Sequence, residues 1–136
     1  AVRDSGARNI IVVLGAEGGG RDKAKRPNMG KIAARAAAYV VVADEDPYDD
    51  DPVEIIEDIA RAAEAAGKVR GETLFTATDR REGIRRALSL ARDAGDVVLI
   101  TGKGAEQWMQ FAGGRRIAWD DRAVTREELM VLLRHS

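Results

Sequence analysis

Asn9–Leu14, NIIVVL, closed by Gly15, is the stretch whose reading decides the fold. After Asn9 the run is apolar, mostly β-branched and without polar alternation. It reads as a strand buried on both faces, the kind found in parallel sheets covered by helices on each side. Outward from it, Tyr39–Ala43 (YVVVA), Thr73–Thr76 (TLFT) and Asp96–Thr101 (DVVLIT) read as three further strands. Helical patterns lie between them. Met29–Ala38 is Ala-rich and entered through Pro27, which suits a first helical turn. Pro52 opens a helix through Ile55, Ile56 and Ile59 to a stop near Gly67, and Asp79 caps a helix carrying Ile84, Ala87, Leu88 and Ala91. Beyond the fourth strand, Ala105–Phe111 reads as a short helical turn, Gly113-Gly114 as a turn and Arg115–Trp119 as an edge strand. Thr125–Leu133 reads as a closing amphipathic helix, with Thr125 and Glu128 spaced as a capping box. The expected fold class is α/β, a Rossmann-like three-layer arrangement with a mainly parallel sheet plus an edge antiparallel strand. Its crossovers are expected to be right-handed.

Composition narrows the function classes. A chain of 136 residues is expected to be one domain with room for a real core. Lys and Arg total 22, Asp and Glu 23, and the formal net charge is −1, so a basic nucleic-acid binder is not expected. There is no Cys, which removes disulfides and thiolate metal sites. The single His, His135, stands beside the C-terminus, so a His-based dyad or zinc cluster is not expected. No apolar run approaches the roughly 18–20 residues of a membrane span, and no signal peptide opens the chain. The expectation is a cytoplasmic protein without membrane or nucleic-acid partners. Ala1 in place of Met suggests a fragment or a processed product.

Ligands in open α/β sheets bind beyond the carboxyl ends of the strands. Three segments occupy such positions. Gly15–Arg26 has four glycines in its first six positions and then the cations Arg21, Lys23, Lys25 and Arg26. Glycines let backbone N–H groups approach a ligand, and the following helix offers a positive dipole end. Contact with phosphate or carboxylate is one reading and a solvated loop the other. Asp44–Asp51 is acidic at six of eight positions. It suits a cation or an ammonium group, or a solvated turn whose acids favour the next helix N-terminus. Thr101–Glu106 (TGKGAE) is the third.

Several familiar sites are absent. Gly15, Gly18, Gly19 and Gly20 do not give G-x-G-x-x-G in register. No Ser or Thr follows Gly102-Lys103, and Val97 stands where a Walker loop needs its first glycine. The acidic loop lacks the D-x-[DN]-x-[DN]-G pattern of a Ca²⁺ loop. A phosphoacceptor receiver domain needs acids where this chain has Gly15-Ala16 and Ala77-Thr78. Trp108, Met109 and Phe111 read as core or edge packing rather than a base-stacking platform.

Taken together the segments resemble a known family. Arg21–Gly30 (RDKAKRPNMG) resembles the GDRDxGKRPxMG stretch in the C-terminal domain of the Mur ligases. Glu45-Asp46-Pro47-Tyr48 falls where that family has DNPR, followed by an acid-Pro step at Asp51-Pro52. Gly102-Lys103-Gly104-Ala105-Glu106 resembles GKGHE, and Asp120-Asp121-Arg122 resembles FDDR. The resemblance runs from about Arg8 to Leu133 and is nearest to the ligases that add the third residue of the peptidoglycan peptide. It implies a three-domain, ATP-dependent amide ligase that phosphorylates the D-glutamate γ-carboxylate of UDP-MurNAc-dipeptide, whereupon an incoming amine displaces phosphate. It also implies that the P-loop, the magnesium ligands and the UDP site lie in two preceding domains absent from this chain, so the isolated chain is expected to be inactive. Carried over by motif, Arg21, Glu45, Asp46, Pro47, Tyr48, Gly102 and Glu106 line the amino-acid site. Lys25 and Arg26 lie near the nucleotide phosphates. ATP and Mg²⁺ are the implied cofactors. No residue is expected to act as an acid or base.

In these roles Glu106 would hold an ammonium group and Arg21 would pair with a carboxylate through two parallel hydrogen bonds. Two departures stand out. The family's DNPR ends in an Arg that pairs with the distal carboxylate of diaminopimelate, and here that position is Tyr48, beside Glu45 and Asp46. Tyr donates one hydrogen bond and no charge, so lysine is expected to be favoured over meso-diaminopimelate. Ala105 replaces the His of GKGHE. The alternative function is a free-standing, non-catalytic module that binds a small molecule or nucleotide; a purely structural interaction domain is a third. The folylpolyglutamate synthases share this C-terminal fold but fit the DNPR-like and GKGHE-like segments less well.

Overall fold

The computed structural model describes residues 9–18, 23–102 and 108–134. Strands β1 (Ile10–Leu14), β2 (Tyr39–Ala43), β3 (Leu74–Ala77) and β4 (Val97–Ile100) form one sheet in the order β3-β2-β1-β4. Every pair is parallel, and Val12 lies opposite Val40 on one side and Leu99 on the other. Helices α1 (Lys25–Ala36) and α2 (Pro52–Ala65) cover one face, and α3 (Arg80–Leu90) covers the other. Strand alternation divides the core accordingly. Ile10, Leu14, Val40 and Val42 pack with Ala33, Ala34, Ile56, Ile59 and Ala60. Ile11, Val13, Val41 and Ala43 pack on the other face with Ala87. Strands buried on both faces are why the β-branched runs show no polar alternation.

This is the expected α/β class. The main sheet is wholly parallel, and the antiparallel strand, β6 (Arg116–Ala118), pairs with β5 (Trp108–Gln110) in a ribbon of its own. The helical turn expected over Ala105–Phe111 is therefore corrected: Trp108–Gln110 is strand, and residues 105–107 lie outside the described residues. Gly113 and Gly114, at φ 70° and 74°, let the chain reverse, and the Arg116 guanidinium lies 4.5 Å from the Trp108 ring centre. Together these favour a ribbon over a helix.

Helix α4 runs Asp121–Arg134, beginning well before Thr125. Thr125 sits inside it and donates its hydroxyl to the Asp121 carbonyl at 2.6 Å, a mid-helix habit of Thr. Glu128 reaches α3 instead of capping: it accepts from Arg85 Nε at 2.7 Å and Arg81 Nη1 at 2.8 Å. The capping box is thus overturned by a cross-helix ion pair. Helix α1 also begins early, at Lys25, with Pro27 in its first turn. Helix α2 opens at Pro52 as read, where Asp51 caps it by accepting from Val53 N–H at 2.9 Å.

Gly30, in the RPNMG stretch, is explained by packing. A Cβ there would run into the Ile59 carbonyl oxygen and stand 3.1 Å from Ala62 Cβ, because α1 and α2 cross backbone to backbone. Gly30→Ala is expected to destabilise the domain by about 1–3 kcal/mol through overpacking, read from the urea midpoint.

Candidate functional site

The sheet order reverses between β1 and β4, so the crevice outside their carboxyl ends is the topological switch point where such sheets bind ligands. Gly15 follows β1 there and Gly102 follows β4. The loop after β2 borders the same crevice: Asp44, Glu45 and Asp46 are only 6%, 7% and 2% exposed. Three consecutive acids are buried only when they are engaged. Asp46 Oδ1 accepts from Gln110 N–H at 2.8 Å, and its carbonyl accepts from Gly18 N–H at 2.9 Å. Tyr48 N–H donates to the Gln110 carbonyl at 3.3 Å, and Asp49 Oδ1 accepts from Gly113 N–H at 2.8 Å. The acidic loop is therefore neither a solvated turn nor a free cluster of carboxylates. It ties the β5–β6 ribbon to the end of β2. Asp46 and Tyr48 hold positive φ, at 39° and 53°, a conformation that non-glycine residues keep only where neighbours impose it.

Glu45 lies under Gly102. Gly102 has φ 113°, and a Cβ there would collide with Glu45 Oε1 and stand 3.5 Å from Arg80 Nη2. Two of the residues carried over from motif resemblance are thus in contact across the switch point. Pro47 is fully buried and Tyr48 half-buried beside them. Arg21 and Glu106 lie outside the described residues.

The two cations assigned to the nucleotide separate. Lys25 is exposed at the start of α1, whose N-cap Ala24 makes no side-chain capping hydrogen bond. Arg26 turns inward, 1% exposed, and pairs with Asp58 at 3.0 Å and Asp50 at 3.4 Å. Its guanidinium braces α1 against α2. Among the described residues, no group of three or more His, Asp or Glu side chains is placed to hold a metal ion.

Arg80 was not singled out from sequence. It is 1% exposed at the start of α3. Nε and Nη2 form a two-pronged pair with Asp121, at 2.9 and 2.8 Å. Nη2 also donates to the Thr101 carbonyl at 2.7 Å, and Nη1 to the Asp44 carbonyl at 3.2 Å. Trp119 Nε1 donates to Asp121 Oδ1 at 2.7 Å. One signal was available. A cation in the first turn of a helix opposes the dipole, so an Arg immediately after the cap needs another purpose.

Beneath the ribbon is a cavity of about 290 Å³, lined by Asp44, Thr78, Met109, Phe111, Ile117 and Trp119. Burial raises the Asp44 carboxyl from 3.8 to about 6, with nearby Asp46 and Asp79 adding to the rise against the pull of the Glu45 N–H and Arg80. The fold therefore holds the Asp44 proton more tightly than the unfolded chain does. Its contribution is present in full below pH 3.8 and is lost as pH rises through about 6. Asp44→Asn is expected to remove that part of the pH dependence, seen by comparing urea midpoints of the two proteins across this window. Equal slopes would show that Asp44 titrates normally.

A family model described as "Mur ligase, glutamate ligase domain" matches residues 1–104. The chain belongs to the Mur ligase family. A UDP-N-acetylmuramyl-tripeptide synthetase from Roseiflexus sp. (strain RS-1) is 45% identical over 90% of this chain and 24% of its own length. A UDP-N-acetylmuramoyl-L-alanyl-D-glutamate–2,6-diaminopimelate ligase from Geobacillus thermodenitrificans (strain NG80-2) is 43% identical over 92% of this chain and 24% of its own. A solved structure titled as a ligase of the latter name superposes with a TM-score of 0.78 at 31% identity, covering 93% of this chain and 24% of that one. This Mur ligase domain spans about a quarter of the length of the relatives it matches. Among its described residues, no helix is long and apolar enough to cross a membrane.

Proposed function

We propose that this chain is the C-terminal domain of a cytoplasmic, ATP-dependent ligase that adds a diamino acid to UDP-MurNAc-L-Ala-D-Glu, and that lysine is preferred over meso-diaminopimelate. ATP with Mg²⁺, held mainly by the part of the ligase that precedes this domain, would supply the phosphoryl group that activates the acceptor carboxylate. In this reading the domain's own residues bind and orient. Glu106 holds an ammonium group and Arg21 pairs with the α-carboxylate. Gly102 over Glu45, with Asp46, Pro47 and Tyr48, forms the wall. Lys25 stands toward the phosphates. The inward ion pairs of Arg26 argue that it acts by bracing α1 rather than by touching nucleotide.

The observation that carries the preference is the loop after β2. It presents buried Asp44, Glu45 and Asp46 and ends in Tyr48 where the family has Arg. A distal carboxylate arriving there meets like charge, and the Arg80 guanidinium is already engaged by Asp121 and two carbonyls. An ammonium group meets the favourable sign. The test is Tyr48→Arg in a complete ligase, made by joining this chain to the preceding part of the Roseiflexus relative. The kcat/KM ratio of diaminopimelate to lysine is expected to rise about tenfold or more, the scale of one charged hydrogen-bonded pair. An unchanged ratio would remove Tyr48 from the specificity argument.

A further inference from the structure

We propose that Arg80 is the positioning residue of the amino-acid pocket, coupling the two substrate-facing loops to the start of α4; the role in ligation rests on the reading above. One side chain donates to three separated segments. Its acceptors are the carbonyl of Asp44, the carbonyl of Thr101 and the carboxylate of Asp121. Those two carbonyls directly precede Glu45 and Gly102, the residues in contact across the switch point. The distance between the β2 loop and the β4 loop is therefore set by the fixed fork of a single guanidinium. Asp121 extends the coupling, because Trp119 at the end of the ribbon bonds to the same carboxylate.

Burial makes this arrangement specific. A buried ion pair contributes little net stability compared with apolar packing of the same volume, yet it holds geometry tightly when each donor is matched. A lysine could still neutralise Asp121, but its single nitrogen cannot reproduce the planar fork that reaches three segments. Charge compensation and positioning thus separate in one variant. Arg80→Lys keeps the charge for Asp121 and gives up the carbonyl contacts.

Two measurements test this. In the complete ligase, Arg80→Lys is expected to raise the KM for the amino acid about tenfold or more and leave the KM for ATP within about twofold. Equal KM values for wild type and variant, or equal rises for both substrates, would overturn the proposal. In the 136-residue chain alone, amide exchange of Gln110 and Gly18, which bond to Asp46, is expected to quicken about tenfold while β1 amides keep their wild-type rates. Uniform acceleration, or none, would show that Arg80 only supports the fold. If Arg80→Lys does not fold, Asp121→Asn serves: it keeps Arg80 and weakens its anchor, and the same split between amino-acid and ATP KM is expected. A complete ligase with Arg80 intact that joins no diamino acid defeats the ligase reading, and the exchange comparison then decides the coupling by itself.

Discussion

Replacing Asp121 with alanine is expected to cost about 3–5 kcal/mol of folding stability, enough to unfold a marginal domain at room temperature. Arg80 would be left 1% exposed with its strongest acceptor gone. A buried guanidinium without its carboxylate loses the Coulomb attraction that offset its dehydration, and it cannot shed its proton. Trp119 Nε1 would lose its acceptor as well. Asp121→Asn is expected to cost less, because an amide oxygen can still accept from Trp119. The contrast is Arg70, which pairs with Glu57 and Glu64 at the surface, its side chain 36% exposed. Arg70→Gln is expected to cost at most about 1 kcal/mol. Urea denaturation of the three variants checks the ordering. Similar losses at Asp121 and Arg70 would show that the buried pair has no special weight.

Gly102→Ala is the second change with a large expected effect. A φ of 113° is open to glycine and strained for alanine, at about 1–3 kcal/mol. The added methyl would also displace the Glu45 carboxylate on which Gly102 rests. Stability is expected to fall by at least that strain. In the complete ligase, kcat/KM for the amino acid is expected to fall about tenfold or more, because both walls of the pocket shift. Gly67 offers the control. It also has positive φ, at 108°, but a Cβ there meets nothing within 4 Å. Gly67→Ala is expected to carry the strain alone and leave catalysis unchanged. Equal catalytic losses at both positions would separate Gly102 from the pocket.

The legibility of this chain follows from which forces are local. Strands β1 and β2 were readable because burial on both faces demands unbroken β-branched runs, and the starts of α2 and α3 were readable from Pro52 and Asp79 because first-turn and capping preferences are local. Helix α4 was misplaced because Asp121 is an acid held by Arg80 from a distant part of the chain, and Glu128 is drawn to Arg81 and Arg85 rather than to its own helix end. Strand β5 was missed for a similar reason: besides pairing with β6, which was read as a strand, it is held by bonds to Asp46 and Tyr48 that a window around Trp108 does not contain. The family resemblance singled out Glu45, Asp46, Pro47, Tyr48 and Gly102, and the fold brings Glu45 and Gly102 into contact with the other three beside them. Arg26 and Gly30 share their motif's signal yet serve helix packing, because a motif marks that a residue type matters without saying what it touches. Arg80 carried no motif, and its importance lies in acceptors far away in sequence.

The most direct measurement is the ligation of lysine and of meso-diaminopimelate to UDP-MurNAc-L-Ala-D-Glu by the complete ligase carrying this domain, with ATP and Mg²⁺. Tyr48 beside buried Asp44, Glu45 and Asp46 predicts a kcat/KM about tenfold or more higher for lysine. A higher kcat/KM for meso-diaminopimelate would contradict it.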